Sequence, residues 1–193
     1  MLCHLIDETI KLPMEIIMNK QRIMPLAGLI VLSIFLAGCT ASRKTVSIEP
    51  SESDLRSYSA VVLSVESNVT DDVHKEMTDL ERLAVAKIKA LNIFQSVQLG
   101  NGEGAPARTL IVKTSISKMR KVSGKSRFMV GAFAGRASMI VDVTLSDAVT
   151  KESIGSYSIT GQSGGTGVSG GTSDAIDKAA EGIADLLAKN YRR

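Results

Sequence analysis

An apolar run at residues 23–35 ends in Leu36, Ala37, Gly38 and Cys39, and this junction divides the 193-residue chain into two unlike parts. Basic residues lie just ahead of the run, and small residues follow it, as in a secretion signal. As a helix the run would be about 20 Å long, which is shorter than the ~30 Å hydrocarbon core of a bilayer. The run is therefore suited to transient insertion, and the folded part of the protein is expected after it.

Cys39 is the predicted lipidation site. Leu36, Ala37 and Gly38 are the predicted signal-peptidase recognition residues, and the Cys39 thiol then takes a diacylglyceryl group through a thioether. The amine freed by cleavage takes a further acyl chain such as palmitate. Burial of each methylene contributes about 0.8 kcal/mol, so two or three chains anchor the protein permanently. Thr40 rather than aspartate follows, which favours the outer membrane and its periplasmic face. An uncleaved membrane helix is the alternative.

Four segments are expected along the chain. Residues 1–17 carry mixed charges where a signal needs a basic start, so they are interpreted as an over-extended beginning ahead of Met18. Residues 18–38 form the signal peptide. Residues 39–57 are polar and serine-rich, which predicts a lipidated tether. Residues 58–193 are long enough for one domain and too short for two.

The apolar patterning of this domain predicts an α+β fold. Residues 59–65 form a β-branched run typical of a buried strand, and residues 138–146 alternate between apolar and polar side chains. Two segments, 73–91 and 173–190, repeat apolar residues every three or four positions, which predicts helices. We therefore expect two layers in strand–helix–strands–helix order: a mostly antiparallel sheet of about five strands packed against two helices.

Composition excludes several classes of site. The chain has two cysteines and two histidines, and the part after Cys39 retains His74 alone of the histidines. Cysteine-based metal cages are therefore excluded and a histidine-rich zinc site is implausible, so no metal or cofactor is expected. The net charge of +3 is too small for a nucleic-acid-binding protein.

Two further motifs have simple explanations. Residues 165–170 match G-x-G-x-x-G, but a dinucleotide loop opens a βαβ unit and this chain ends after one helix, so a glycine-rich loop is expected. His74 lies beside Asp71 and Asp72, which leaves a hydrolase as a less favoured hypothesis. Since no nucleophile elbow is present, no catalytic residue is assigned and the chain is not expected to be an enzyme.

A basic stretch without acidic residues is the main candidate surface. It consists of Lys118, Arg120, Lys121, Lys125, Arg127 and Arg136. These side chains either meet anionic lipid headgroups or acidic envelope polymers, or they keep a hairpin end solvated. Residues 128–135, FMVGAFAG, either pack under the sheet or form a contact between subunits.

A family resemblance rests on residues 131–137 leading into 139–148, and it continues through Thr150 and Lys151 to the glycine-rich loop and the alanine-rich last helix. The chain here resembles an uncharacterised family of bacterial lipoproteins, domain of unknown function 4410. The resemblance implies location and fold, with no established activity. Such sequences tend to have Thr-Gly in the hairpin turn, and Lys151 in place of glycine predicts a turn without a positive φ.

These observations favour a lipid-anchored, non-catalytic binding or assembly module of the bacterial envelope. Its expected partners are the membrane, through acylated Cys39, and an envelope protein or cell-wall component, with homo-oligomers also considered. The alternative is an oligomeric structural subunit of an envelope secretion or pore assembly.

Overall fold

A six-stranded sheet and two helices make up the part of the chain that the structure, a computed structural model, describes: residues 42–49, 54–122, 135–164 and 171–191. The strands are β1 (Ser42–Glu49), β2 (Ala60–Ser67), β3 (Ser96–Leu99), β4 (Thr109–Arg120), β5 (Ser138–Asp147) and β6 (Ser153–Gln162). The helices are α1 (His74–Ala90) and α2 (Thr172–Tyr191), and a short 3-10 helix spans Leu55–Ser57.

The sheet is mixed, with strand order β1-β6-β5-β4-β2-β3. Strand β2 runs parallel to both β3 and β4, whereas the other three pairs are antiparallel. The α+β prediction is confirmed, whereas the expected sheet of about five mostly antiparallel strands has six strands and is mixed, because two of its five pairings are parallel. The parallel pairs arise because α1 carries the chain back to the starting end of β2 before β3 begins. The connection after β3 likewise returns the chain before β4.

The sixth strand, β1, lies in the segment expected to be a tether. It pairs antiparallel with β6, and Leu55 beyond it is fully buried, so residues 42–49 and 55–57 pack with the rest of the described domain. Strand β1 is held by backbone pairing and by Arg43, which forms ion pairs with Glu181 and Asp185 on α2. Because its apolar side chains Val46 and Ile48 are exposed, it shows none of the buried alternation by which a strand is recognised in a sequence.

The core lies between one face of the sheet and the two helices. Side chains alternate along β5, with Met139, Val141, Val143 and Leu145 fully buried as predicted. The largest fully buried side chains are Leu55, Leu63, Leu80, Ile88, Leu110, Ile116, Met139, Leu145, Ile159, Ile176, Ile183 and Leu187. Each contributes roughly 1.5–3 kcal/mol by its burial, so this layer dominates the stability of the domain.

The turn between β5 and β6 has a left-handed residue. Lys151 has φ of +61°, so the prediction of a turn without a positive φ is wrong. The turn is held by the Asp147 carboxylate, which accepts hydrogen bonds from the backbone N–H groups of Val149 (2.7 Å) and Thr150 (2.9 Å). These bonds fix the backbone so firmly that a lysine adopts the conformation usual for glycine.

Replacing Lys151 with glycine is expected to raise the free energy of unfolding by about 0.5–1 kcal/mol. A left-handed conformation costs an L-residue roughly 1–2 kcal/mol, and the larger backbone entropy of unfolded glycine offsets part of the gain. Urea unfolding at constant slope measures the change. Thr150→Gly is the control, because Thr150 is not among the positive-φ residues and its replacement is expected to destabilise. A Lys151→Gly variant no more stable than the parent would contradict the argument.

Candidate functional site

The register of the sheet brings four strand termini to one end. Ser42 pairs with Gln162, Gln162 with Ser138, and Ser138 with Arg120, so these four residues form a row across β1, β6, β5 and β4. We call this the Ser42 end of the sheet. Ser42 follows the predicted lipidation site Cys39 by three residues. Ser42 is thus the described residue nearest to Cys39 in the sequence.

Four of the six predicted basic residues are described, and the structure brings them together at the Ser42 end. Lys118 pairs in register with Ile140 and Arg120 with Ser138, and Arg136 precedes Ser138 by two residues. Lys118, Arg120 and Arg136 are exposed. Lys125 and Arg127 lie outside the described residues.

Lys121 has a structural role within this group. Its Nζ lies 3.0 Å from the Glu76 carboxylate and donates to the backbone carbonyl of Asp72 at 2.6 Å. These contacts tie the end of β4 to the beginning of α1. The charge of Lys121 is therefore partly compensated by Glu76. The remaining basic surface consists of Lys118, Arg120 and Arg136.

The Arg120 guanidinium lies against Gly135. A Cβ placed on Gly135 would lie 2.5 Å from Nη2 of Arg120, and Gly135 has φ of +78°. Lys44 adds an exposed charge on β1, in register with Thr160. Sequence reasoning missed Lys44 because it lay in the supposed tether.

Several predicted residues fall outside the described part of the chain. These are Cys39, the recognition residues Leu36, Ala37 and Gly38, the glycine-rich residues 165–170, and all of residues 128–135 except Gly135. The lipidation site, the loop and the apolar segment therefore remain predictions. Within the described ranges, neither helix is long and apolar enough to cross a membrane.

His74 begins α1 as an exposed residue. Its backbone N–H donates to the Asp72 carboxylate at 3.2 Å, and its carbonyl accepts from the Thr78 hydroxyl at 3.1 Å. Asp72 thus satisfies an N–H at the helix start instead of orienting the imidazole. Among the described residues, no three His, Cys, Asp or Glu side chains are grouped to hold a metal ion.

A cleft of about 350 Å³ lies at the opposite end of the sheet, beneath the connection from β3 to β4. The Thr109 side chain lines it, is 1% exposed, and has a hydroxyl without a hydrogen-bond partner. Gln98 and Glu103 also line the cleft. The sequence predicted only a turn-rich loop here, because no feature of the connection's own residues indicates that it lies over two parallel strands.

Tyr58 and Asp147 form a structural pair near this far end. Hydrogen bonds from the backbone N–H groups of Thr150 and Val149 lower the pKa of the Asp147 carboxyl, and the Tyr58 hydroxyl adds to the effect. Burial, and then the hydrogen bond to Asp147, raise the pKa of Tyr58 to about 12. The pair is thus a neutral phenol donating to a carboxylate, which fixes the hairpin against the start of β2.

Comparison with solved structures shows the fold. A dodecameric PelC variant from Paraburkholderia phytofirmans is 18% identical, with a TM-score of 0.50, covering 77% of this chain and 99% of that one. A second PelC dodecamer from the same organism is 17% identical, with a TM-score of 0.48, covering 80% and 99%. Protein XCC0632 from Xanthomonas campestris is 9% identical, with a TM-score of 0.46, covering 79% and 94%.

Comparison with protein families gives the family directly, whereas no curated protein matches the chain. The matching family model is described as a domain of unknown function, DUF4410, and it covers residues 42–167. The match begins at β1 and runs through β6, so it includes the whole described sheet. The chain therefore belongs to the DUF4410 family.

Proposed function

We propose that this chain is a lipid-anchored protein of the bacterial envelope, and that its domain is a non-catalytic assembly subunit that binds further copies of itself through the two lateral edges of the sheet. The observation that carries the proposal is the position of the exposed apolar side chains. Anchoring through Cys39 in the outer membrane, on the periplasmic face, is part of the proposal and is supported by the signal at residues 18–38.

The large exposed hydrophobic residues of the described chain are concentrated on the outermost strands. Val46 (45% exposed) and Ile48 (59%) lie on β1, and Leu99 (51%) lies on β3, whereas Val149 (61%) lies in the β5–β6 turn. Edge strands carry unpaired backbone N–H and C=O groups, and proteins usually protect them with charges or a covering segment. Exposed apolar residues at both edges therefore indicate surfaces that associate.

The two edges differ from each other and lie on opposite sides of the sheet. Contact between β1 of one copy and β3 of the next is heterologous, and such contacts give closed rings when the rotation between copies closes. PelC, which shares the fold, is described as a dodecamer, and this supports the proposal. A ring of anchored subunits suits an envelope secretion or pore assembly, or a scaffold for a cell-wall partner.

The test is the mass of the acylated protein in detergent, measured by light scattering. We expect the parent to be a discrete oligomer and Ile48→Lys to be a monomer, because a buried contact would then contain an unpaired charge. Val149→Lys is the matched control, since Val149 has nearly the same exposure but lies away from both edges. A monomeric parent, or equal masses for Ile48→Lys and the parent, would overturn the proposal.

A mixing experiment tests the head-to-tail arrangement. Leu99→Lys alters the β3 edge and leaves β1 intact, whereas Ile48→Lys does the reverse. We expect each variant to be monomeric and an equal mixture to form dimers, because one intact β1–β3 contact remains available. If Leu99→Lys alone keeps the parental mass, β3 takes no part in the contact and the ring is excluded.

A further inference from the structure

We infer that the Ser42 end of the sheet rests on the anionic surface of the bilayer, through the exposed side chains of Lys44, Lys118, Arg120 and Arg136, which we call the basic end. The inference depends on the proposed anchor at Cys39. It adds the orientation of the domain and a preference for anionic lipid headgroups.

The short link between Cys39 and Ser42 limits the distance between the sheet and the lipid anchor. Two residues, Thr40 and Ala41, separate Cys39 from Ser42, and the three steps from Cys39 to Ser42 span at most about 11 Å even when fully extended. Arg120 lies three strand spacings from Ser42 in the same row, which is about 14 Å across the sheet. An acylated Cys39 therefore keeps Ser42 within about 11 Å of the anchor, and Arg120, about 14 Å farther along the row, is close to the headgroups only when the row lies along the membrane surface.

The charges at this end match a negatively charged surface. Lys44, Lys118, Arg120 and Arg136 have no ion-pair partner among the described residues. Acidic residues near this end are Asp71, Asp72 and Glu76 beside α1, of which Glu76 pairs with Lys121. Asp174 at the start of α2 accepts from the backbone N–H of Gly164, and Asp142 lies on β5 two residues beyond Ile140. From the row that contains Ser42 to the row that joins Lys44 to Lys118, the charged residues of β1, β6, β5 and β4 are all basic.

The field of an anionic leaflet decays within a Debye length, about 8 Å at physiological salt. The field attracts only groups close to the surface, and the short link to Cys39 allows the basic end to come within this distance. The β5–β6 turn lies about 30 Å away along β5 and is outside the field. The strands should therefore stand upright on the membrane, with the turn farthest from it.

The test places a fluorescent probe at one of two positions in the mature acylated protein, with Ser138→Cys at the basic end or Val149→Cys at the far turn. Each variant is reconstituted into phosphatidylcholine vesicles with or without phosphatidylglycerol, and a headgroup nitroxide lipid is the quencher. On anionic vesicles we expect about threefold stronger quenching at residue 138 than at residue 149. On neutral vesicles or at high salt the ratio should fall towards one.

Charge reversal supplies the control. Lys118→Glu combined with Arg136→Glu is expected to abolish the difference on anionic vesicles. Lys89→Glu combined with Lys151→Glu reverses as many exposed charges at the far end and should preserve it. Equal quenching at both positions on anionic vesicles, or an unchanged ratio in the Lys118/Arg136 variant, overturns the orientation. A parent protein that does not float with any vesicle overturns the anchor itself.

Discussion

Gly161→Ala is expected to lower the free energy of unfolding by about 3 kcal/mol, and Gly161→Val to prevent stable folding. Gly161 lies on β6 where α2 crosses the sheet. A Cβ there would overlap the carbonyl oxygen of Ala175 and lie 2.5 Å from the backbone N of Ala179. Because these are backbone atoms of a helix, they cannot rotate away, and the helix must move from the sheet.

Gly182→Ala is the matched control on the other side of the same contact. A Cβ on Gly182 would lie 2.5 Å from Cγ2 of Ile159, so one methyl group of a fully buried side chain must move, whereas no helix backbone atom has to. The higher helix propensity of alanine, about 1 kcal/mol over glycine, offsets part of that cost. Urea midpoints at constant slope compare the two variants. If Gly161→Ala unfolds at the parental midpoint, or is the milder of the two, the close approach of α2 to β6 is wrong.

The helices and inner strands could be predicted because their buried side chains recur at the period of a helix or of a strand. The last helix was expected at residues 173–190 and spans Thr172–Tyr191, since its apolar stripe is long and regular. Strand β5 was expected at residues 138–146 and spans Ser138–Asp147, with the predicted alternation. In both elements the side chains that face the core are the apolar ones that recur at the helical or strand period.

Edges and pairings could not be predicted in the same way. Strand β1 exposes its apolar residues, and its attachment to α2 through Arg43 depends on Glu181 and Asp185, which lie about 140 positions away in the chain. The parallel pairing of β2 with β3 and β4 depends on the paths of the connections between these strands. The spacing of apolar residues within a strand contains no information about those paths. The positive φ of Lys151 is likewise imposed by the Asp147 carboxylate.

The candidate site was partly visible in the sequence. The absence of acidic residues between Glu103 and Asp142 marked the basic stretch, and in the structure its described members lie at the Ser42 end of the sheet. What the sequence could not show is their position in the row that contains Ser42. That row follows from three successive strand pairings, and it links the basic residues to the predicted anchor.

Cys39→Ser is expected to move the protein from the membrane fraction to the soluble fraction. A serine hydroxyl cannot form the thioether, so both glyceryl-linked chains are lost. At about 0.8 kcal/mol per buried methylene, two long chains contribute far more than the basic end, where each residue adds about 1 kcal/mol. Membrane flotation and incorporation of radiolabelled palmitate measure the effect.

Cys3→Ser is the matched control for this experiment, because Cys3 lies in the segment expected to precede the signal. It should leave both flotation and palmitate incorporation unchanged. The Lys118→Glu and Arg136→Glu double variant should also float, since it alters the orientation of the domain and leaves the anchor intact. If Cys39→Ser still floats, or if palmitate is absent from the parent, attachment has another cause, and the short link from Cys39 to Ser42 no longer limits the height of the sheet above the bilayer.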